Sequence, residues 1–149
     1  MLIRKAGEGD AEALIALYGQ HLAVRPPDGE VDAPRWREKL REWKADAHYH
    51  LLVGEEDGQI LASVTLVIIE NLTHQMRPYA LIENVVTHAE HRRQGRASAL
   101  MGKACELARE SGCYKIMLLT GSKQEGTLNF YRRCGFNSED KTGFVKWFA

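Results

Sequence analysis

The 149-residue sequence has only three cysteines, Cys105, Cys113 and Cys134, and no Cys-x-x-Cys pair. An odd number of widely spaced thiols indicates neither a disulfide framework nor a zinc site. Neither charge is in excess, because 20 Lys and Arg balance 20 Asp and Glu. A protein that wraps nucleic acid carries a basic surplus, so no nucleic-acid partner is expected. No apolar run approaches the ~18 residues of a membrane span. Met1 to Asp10 lacks the apolar core of a secretory signal. No membrane is expected as a partner, and a reducing cytoplasm is the default compartment.

What is present is ordinary for a globular chain: 44% hydrophobic and 27% charged residues. One domain over residues 1–149 is expected. A chain of this size buries roughly two-thirds of its unfolded surface, so it needs no disulfide or metal to fold.

The periodicity predicts a weak strand at Leu2–Ala6, then a helix over Ala13, Leu14 and Leu17 with Asp10 as its N-cap, ending near His21. Pro26, Pro27 and Gly29 force a loop across Val24–Gly29. Trp36, Leu40 and Trp43 fall on one face of a second helix, Ala33–Lys44. Strands are predicted at Tyr49–Glu55 and Ile60–Ile69, joined by a turn centred on Asp57-Gly58. Further strands are predicted at Ala80–Thr87 and Tyr114–Thr120. Helices follow Gly95 and span Gln124–Arg133. Phe136 and Phe144–Phe148 are predicted to close the chain as strands. The order predicts an α+β fold: a mixed, mostly antiparallel sheet with one parallel step.

The segment Ile82 to Leu100 carries the chemistry. It reads as strand, basic loop, glycine, helix start. The first turn of a helix offers unpaired amides and about half a positive charge, which makes an anion site. Gly95 has no Cβ to keep a ligand away, and Ala97 and Ser98 are small. Arg92, Arg93 and Arg96 add cationic donors suited to phosphate oxygens. Together these predict a pyrophosphate cradle. The alternative is a basic coat on a surface helix.

Arg92-Arg93-Gln94-Gly95-Arg96-Ala97 resembles the Q/R-x-x-G-x-G/A signature of the GCN5-related N-acetyltransferases. Asn129-Phe130-Tyr131-Arg132-Arg133-Cys134-Gly135-Phe136 resembles that family's late F-Y-x-x-x-G-F block, in the family's order. Ile82–Val86 and Gly112–Ile116 are also similar to segments of glucosamine-6-phosphate N-acetyltransferases, a branch of the superfamily. The resemblance covers nearly the whole chain. It implies the acyl-CoA N-acyltransferase fold, a three-layer arrangement with helices on both faces of the sheet. One position departs from the pattern: Gln124 stands where the family often has asparagine.

The resemblance implies acetyl-CoA as co-substrate, no metal, and direct transfer to a primary amine of a small molecule or peptide. It implies a β-bulge in the fourth strand, with the fourth and fifth strands splayed apart near Val85-Val86 and Leu118-Leu119. Val85, Val86 and Thr87 would contact the pantetheine arm through their backbone, and the amide near Val86 would donate to the thioester carbonyl. Arg92, Arg93, Gln94, Gly95, Arg96, Ala97 and Ser98 would hold the pyrophosphate, with Gln124 and Tyr131 beside the coenzyme. Tyr131 matches the family's proton donor to the leaving thiolate. Glu83, two residues before Val85 and so expected on its face, is the candidate base. A substrate-binding or structural role for Glu83 is an equal reading, as is an ordered water in place of a base. His88 and His91 are further candidates. An acetyl-cysteine route through the three thiols finds no obvious paired histidine.

The family builds its acceptor site from the first two helices, their connecting loop and the loop between the third and fourth strands, and the two loops are here Val24–Glu30 and Asn71–Tyr79. Their polar residues are Arg25, Asp28, Glu30, His74, Gln75, Arg77 and Tyr79. The last apolar segment offers an edge to a second subunit, so a homodimer is one reading, although the family contains monomers. Two other functions remain open on the sequence. One is a silent coenzyme A-binding sensor, and the other a nucleotide module, for which no G-x-x-x-x-G-K-[ST] loop is present.

Overall fold

A computed structural model describes residues 1–22 and 31–148. The loop expected at Val24–Gly29, with Arg25, Asp28 and Glu30, lies outside the described residues. Nine elements follow in order: β1 (Leu2–Lys5), α1 (Ala11–His21), α2 (Ala33–Ala45), β2 (Tyr49–Glu56), β3 (Gln59–Ile69), β4 (Tyr79–Thr87), α3 (Arg96–Glu110), β5 (Ile116–Leu118) and α4 (Glu125–Arg133). Short 3-10 turns occupy Glu8–Asp10 and Ala89–His91.

The strands form one sheet in chain order. β1 to β4 are antiparallel, and β5 runs parallel to β4. A parallel step needs a crossover, and α3 supplies it. The β2–β3 turn puts Asp57 at φ 50° and Gly58 at φ 77°. Two adjacent positive φ values match the right-handed twist of the flanking strands.

Each face of the sheet is covered by a helix pair. α1 and α2 bury Leu14 and Leu40 against Leu51 and Val53, with Trp36 and Trp43 packed around them. α3 buries Leu100, Met101 and Ala104 against Val64, Leu66 and Ile82, with Phe130 and Tyr131 of α4 alongside. β3 is the central strand and is buried from Leu61 to Leu66. This is the α+β architecture the sequence predicts, with helices on both faces.

Three local readings change. Asp10 precedes α1, but its carboxylate caps no helix amide. It accepts the Gly7 amide at 2.8 Å and both arms of the Arg4 guanidinium at 2.8 Å. A bidentate charged partner outcompetes a neutral amide. β5 has three residues, not seven, because its pairing with β4 ends at Ile82–Leu118. Residues Phe136 and Phe144–Phe148 form no strand. An extended segment becomes a strand only through a neighbour's ladder, and no backbone hydrogen bond holds residues 141–148 among those described.

The β3–β4 connection contains a left-handed turn. His74, Gln75 and Met76 have φ of 55°, 61° and 64°. Such a backbone costs roughly 1–2 kcal/mol per residue. Two contacts oppose that cost. The His74 ring stacks on Tyr114 at 3.8 Å, and Arg77 donates to the carbonyls of Gly112 and Cys113.

Candidate active site

β3 and β4 pair Ser63 with Val86 and Thr65 with Glu83. A single β3 residue, Val64, therefore opposes two on β4, Asn84 and Val85. This is a β-bulge. Asn84 adopts φ 52°, a conformation that asparagine tolerates better than most residues. The extra residue reverses the alternation of side chains. Directly opposed residues share a face, so Glu83 joins Thr65 and Val86 joins Ser63. That face belongs to α1, whose Tyr18 phenol lies beside the Ser63 and Thr65 hydroxyls. Val85 packs instead into the α3-side core. Glu83 and Val85 thus lie on opposite faces, contrary to the simple two-residue count.

Beyond Ile82 the β5-facing edge of β4 is open. The His88 amide donates to the Leu61 carbonyl at 2.8 Å, which fixes the phase of backbone groups along β4. Groups alternate from residue to residue. The Val86 amide therefore turns toward β3, while those of Val85 and Thr87 turn toward the gap. The donor expected near Val86 is thus an amide beside it rather than Val86's own. Glu83 is exposed and Val86 is buried.

The cradle follows. Arg93 and Gly95 both adopt left-handed φ, 62° and 80°. Alternating conformations of this kind turn successive amides inward around an anion. The first α3 bond runs from the Ala99 amide to the Gly95 carbonyl at 2.9 Å, and no side chain caps the helix. The amides of Arg96, Ala97 and Ser98 are thus without helix partners. Apart from its chain neighbours, no atom of the described residues lies within 4 Å of where a Gly95 Cβ would stand.

The three arginines have separate roles here. Arg96 pairs with Glu56 at the end of β2, and also donates to the Gln94 side chain and the His91 carbonyl. The Arg96 guanidinium holds the Glu56 carboxyl below the usual carboxylate range. Arg92 donates to the carbonyls of Thr87 and His21, joining α1 to the end of β4. Arg93 is exposed and makes no side-chain hydrogen bond among the described residues. A phosphate would therefore meet free amides and Arg93, within a frame held by Arg92 and Arg96.

Tyr131 sits on the α3 side, half-buried, with its ring edge-on to Phe130 at 5.1 Å. Burial, then the nearby Cys134, pushes its phenol above the ordinary value. It keeps its proton throughout the neutral range. Gln124 is the N-cap residue of α4 and is exposed, with no side-chain hydrogen bond to the helix. Val85 and Tyr131 thus lie toward α3 and α4, and Glu83 lies toward α1. The open β4 edge separates two chemically different faces.

Burial raises the thiol pKa of Cys105, Cys113 and Cys134, so none is a thiolate near neutrality. Nucleophilic cysteine requires the thiolate. His88, Glu90 and His91 bring potential ligand atoms within 4.8 Å of one another. The His88 Nδ1 lone pair, however, accepts the Glu90 amide at 3.3 Å. Of the acceptor-loop candidates, His74, Gln75, Arg77 and Tyr79 lie at the opposite end of β4 from the cradle. An open cavity of about 760 Å³ lies there, lined by Asn71, Leu72, Met76 and Pro78. None of the candidate catalytic residues lines it.

Sequence reasoning missed the polar group beside Glu83. Ser63 and Thr65 are buried hydroxyl residues in an otherwise apolar strand, and that interruption was the available signal. The bracing roles of Glu56 and His21 had no sequence signal.

Residues 16–136 match the acetyltransferase (GNAT) family model. A glucosamine 6-phosphate N-acetyltransferase of Trypanosoma brucei brucei is 30% identical over 139 residues, covering 93% of this chain and 90% of that one. The structure of a proposed acetyltransferase from Agrobacterium tumefaciens str. C58 superposes with a TM-score of 0.88 and 36% identity, covering 99% of this chain and all of that one. The crystal structure of glucosamine-6-phosphate N-acetyltransferase from Arabidopsis thaliana has a TM-score of 0.86 at 24% identity, covering 99% and 98% of the two chains. The last likeness concerns the fold.

Proposed function

Because this chain belongs to the GNAT acetyltransferase family, we infer that it transfers the acetyl group of acetyl-CoA directly to a primary amine. The observation that carries this reading is the bulged β4, whose open edge runs straight into an uncapped helix N-terminus. A linear ligand with a pyrophosphate at one end and a thioester at the other fits that path. The free amides of Arg96, Ala97 and Ser98, with Arg93, would hold the phosphates. The outward amides of Val85 and Thr87 would hold the arm, and one of them would stabilise the developing oxyanion.

The amine nitrogen attacks the thioester carbonyl, the C–N bond forms, and the C–S bond breaks. The amine approaches from the α1 face, where Glu83 takes its proton directly or through water. Tyr131, on the other face, gives its proton to the departing thiolate. No metal takes part in this scheme. Glucosamine 6-phosphate is the first acceptor to test, on the strength of the 30% identical relative. The wider class is a small-molecule or peptide amine. The reading places the protein in the cytoplasm and includes a homodimer.

The test is release of coenzyme A thiol from acetyl-CoA across amino sugars, their phosphates, polyamines, amino acids and lysine peptides. Amine-dependent release is expected. Tight acetyl-CoA binding with no release for any amine would overturn the transferase reading in favour of a coenzyme A sensor.

A further inference from the structure

We propose that His88, Glu90 and His91 bind one divalent transition-metal ion of the zinc class, outside the transfer reaction, and that this ion and acetyl-CoA oppose each other's binding. The metal site itself does not depend on the transferase reading, whereas its opposition to the coenzyme does.

The segment His88-Ala89-Glu90-His91 wraps one 3-10 turn between β4 and the cradle. The turn brings one ligand atom from each of the three side chains within 4.8 Å of the others, the one such group among the described residues. A tetrahedral ion bound at about 2.0–2.1 Å holds its ligand atoms roughly 3.3 Å apart, so modest side-chain rotations close the set. The donors are not held by stronger partners. The Glu90 carboxylate is exposed and forms no ion pair among the described residues. The His91 ring stands edge-on to His88 at 5.3 Å and makes no hydrogen bond among the described residues. Two imidazoles and one carboxylate suit zinc, nickel or cobalt, whereas magnesium and calcium take sets of oxygens.

Binding has a cost to the turn. The Glu90 amide can only donate, so the neutral His88 ring accepts it at Nδ1 and carries its own proton on Nε2. A metal at Nδ1 displaces that amide. A metal at Nε2 moves the ring proton to Nδ1, where it faces the amide. Either way the turn loses its cap. His21 stacks on the His88 ring at 4.1 Å and holds it, so the turn is what shifts. That turn supports the cradle. The His91 carbonyl accepts Arg96 at 3.2 Å, and Arg92, the next residue, donates to the carbonyls of Thr87 and His21. An ion that draws the three side chains together therefore works against the frame that presents Arg93 and the free amides to a pyrophosphate.

The test titrates zinc into the full chain by calorimetry, with and without acetyl-CoA, whose blocked sulfur does not chelate the ion. One zinc per chain should bind, and magnesium should not compete. Cobalt should bind without the thiolate charge-transfer band that coordination by Cys105, Cys113 or Cys134 would bring. His91→Asn and Glu90→Gln should each abolish saturable binding at micromolar zinc. His88→Asn should do the same while its side-chain oxygen still caps the turn, which separates loss of a ligand from loss of the fold. Saturating zinc should weaken acetyl-CoA binding by roughly 5–150-fold, and saturating acetyl-CoA should weaken zinc by the same factor. No saturable binding, or binding that survives all three substitutions, would overturn the site. Equal acetyl-CoA affinity with and without zinc would overturn the opposition. Zinc binding in a chain that never binds acetyl-CoA would sink the transferase reading and leave the metal site standing.

Discussion

Thr65 and Glu83 stand directly opposite each other on β3 and β4, one buried and the other open to solvent. The Thr65 hydroxyl is buried beside the Tyr18 phenol and makes no well-formed hydrogen bond among the described residues. A buried polar group left unpaired costs roughly 1–3 kcal/mol. Thr65→Val keeps the shape and removes that penalty. We expect its melting temperature to rise by about 2–4 °C for each kcal/mol regained. A fall in melting temperature on calorimetry would show that the hydroxyl is already satisfied.

Tyr131→Phe should lower kcat by about a hundredfold or more, the usual range for a lost proton donor. Acetyl-CoA affinity should not change. Burial raises the Tyr131 pKa, so the wild-type rate should show no tyrosine limb below about pH 10. A basic limb near neutrality that disappears in Tyr131→Phe would contradict the placement.

Asn84→Val tests the bulge. A β-branched residue is poorly suited to φ 52°, and the strain amounts to roughly 1–2 kcal/mol. We expect lower thermal stability together with a raised KM for acetyl-CoA, because the outward amides depend on the extra residue. Asn84→Gly should retain both properties.

Gly95→Val should abolish the thermal stabilisation given by coenzyme A. Its φ of 80° strains any side chain, and a branched one would fill the open space above the cradle. Unchanged binding by titration calorimetry would move the phosphates elsewhere.

His21 supplies a pH test. Its Nδ1 accepts the Ala89 amide at 3.2 Å, which needs the neutral ring. Desolvation, then His88 and Arg92, lowers its pKa. A depressed folded pKa gives stability that is present above the unfolded value, near 6.5, and is lost as pH falls through the folded one. The melting temperature should therefore drop between pH 7 and pH 5. The drop should be smaller in His21→Leu.

Much of the fold was legible because it rests on short-range rules. The Asp57-Gly58 hairpin and the Trp36–Leu40–Trp43 stripe follow from turn chemistry and helical spacing. The helix start after Gly95 was legible for the same reason, since a glycine opening a helix is a local signal. The roles within the site were less so. Alternation placed Glu83 beside Val85, but the bulge inserts a residue that no local pattern marks. The Arg96 guanidinium reads as a phosphate ligand until Glu56, forty residues earlier, pairs with it. The terminal strand fails because apolar composition supplies a strand's faces but not its neighbour.

The Glu56–Arg96 pair has a practical consequence for anyone redesigning this molecule. The β2–β3 hairpin tip, Asp57-Gly58, looks like a convenient place to splice in an affinity tag or a reporter loop. It is joined to the proposed coenzyme cradle through its neighbouring carboxylate, which pairs with Arg96. Cargo inserted there would pull on the cradle, and the unclaimed positions for grafting lie elsewhere on the surface.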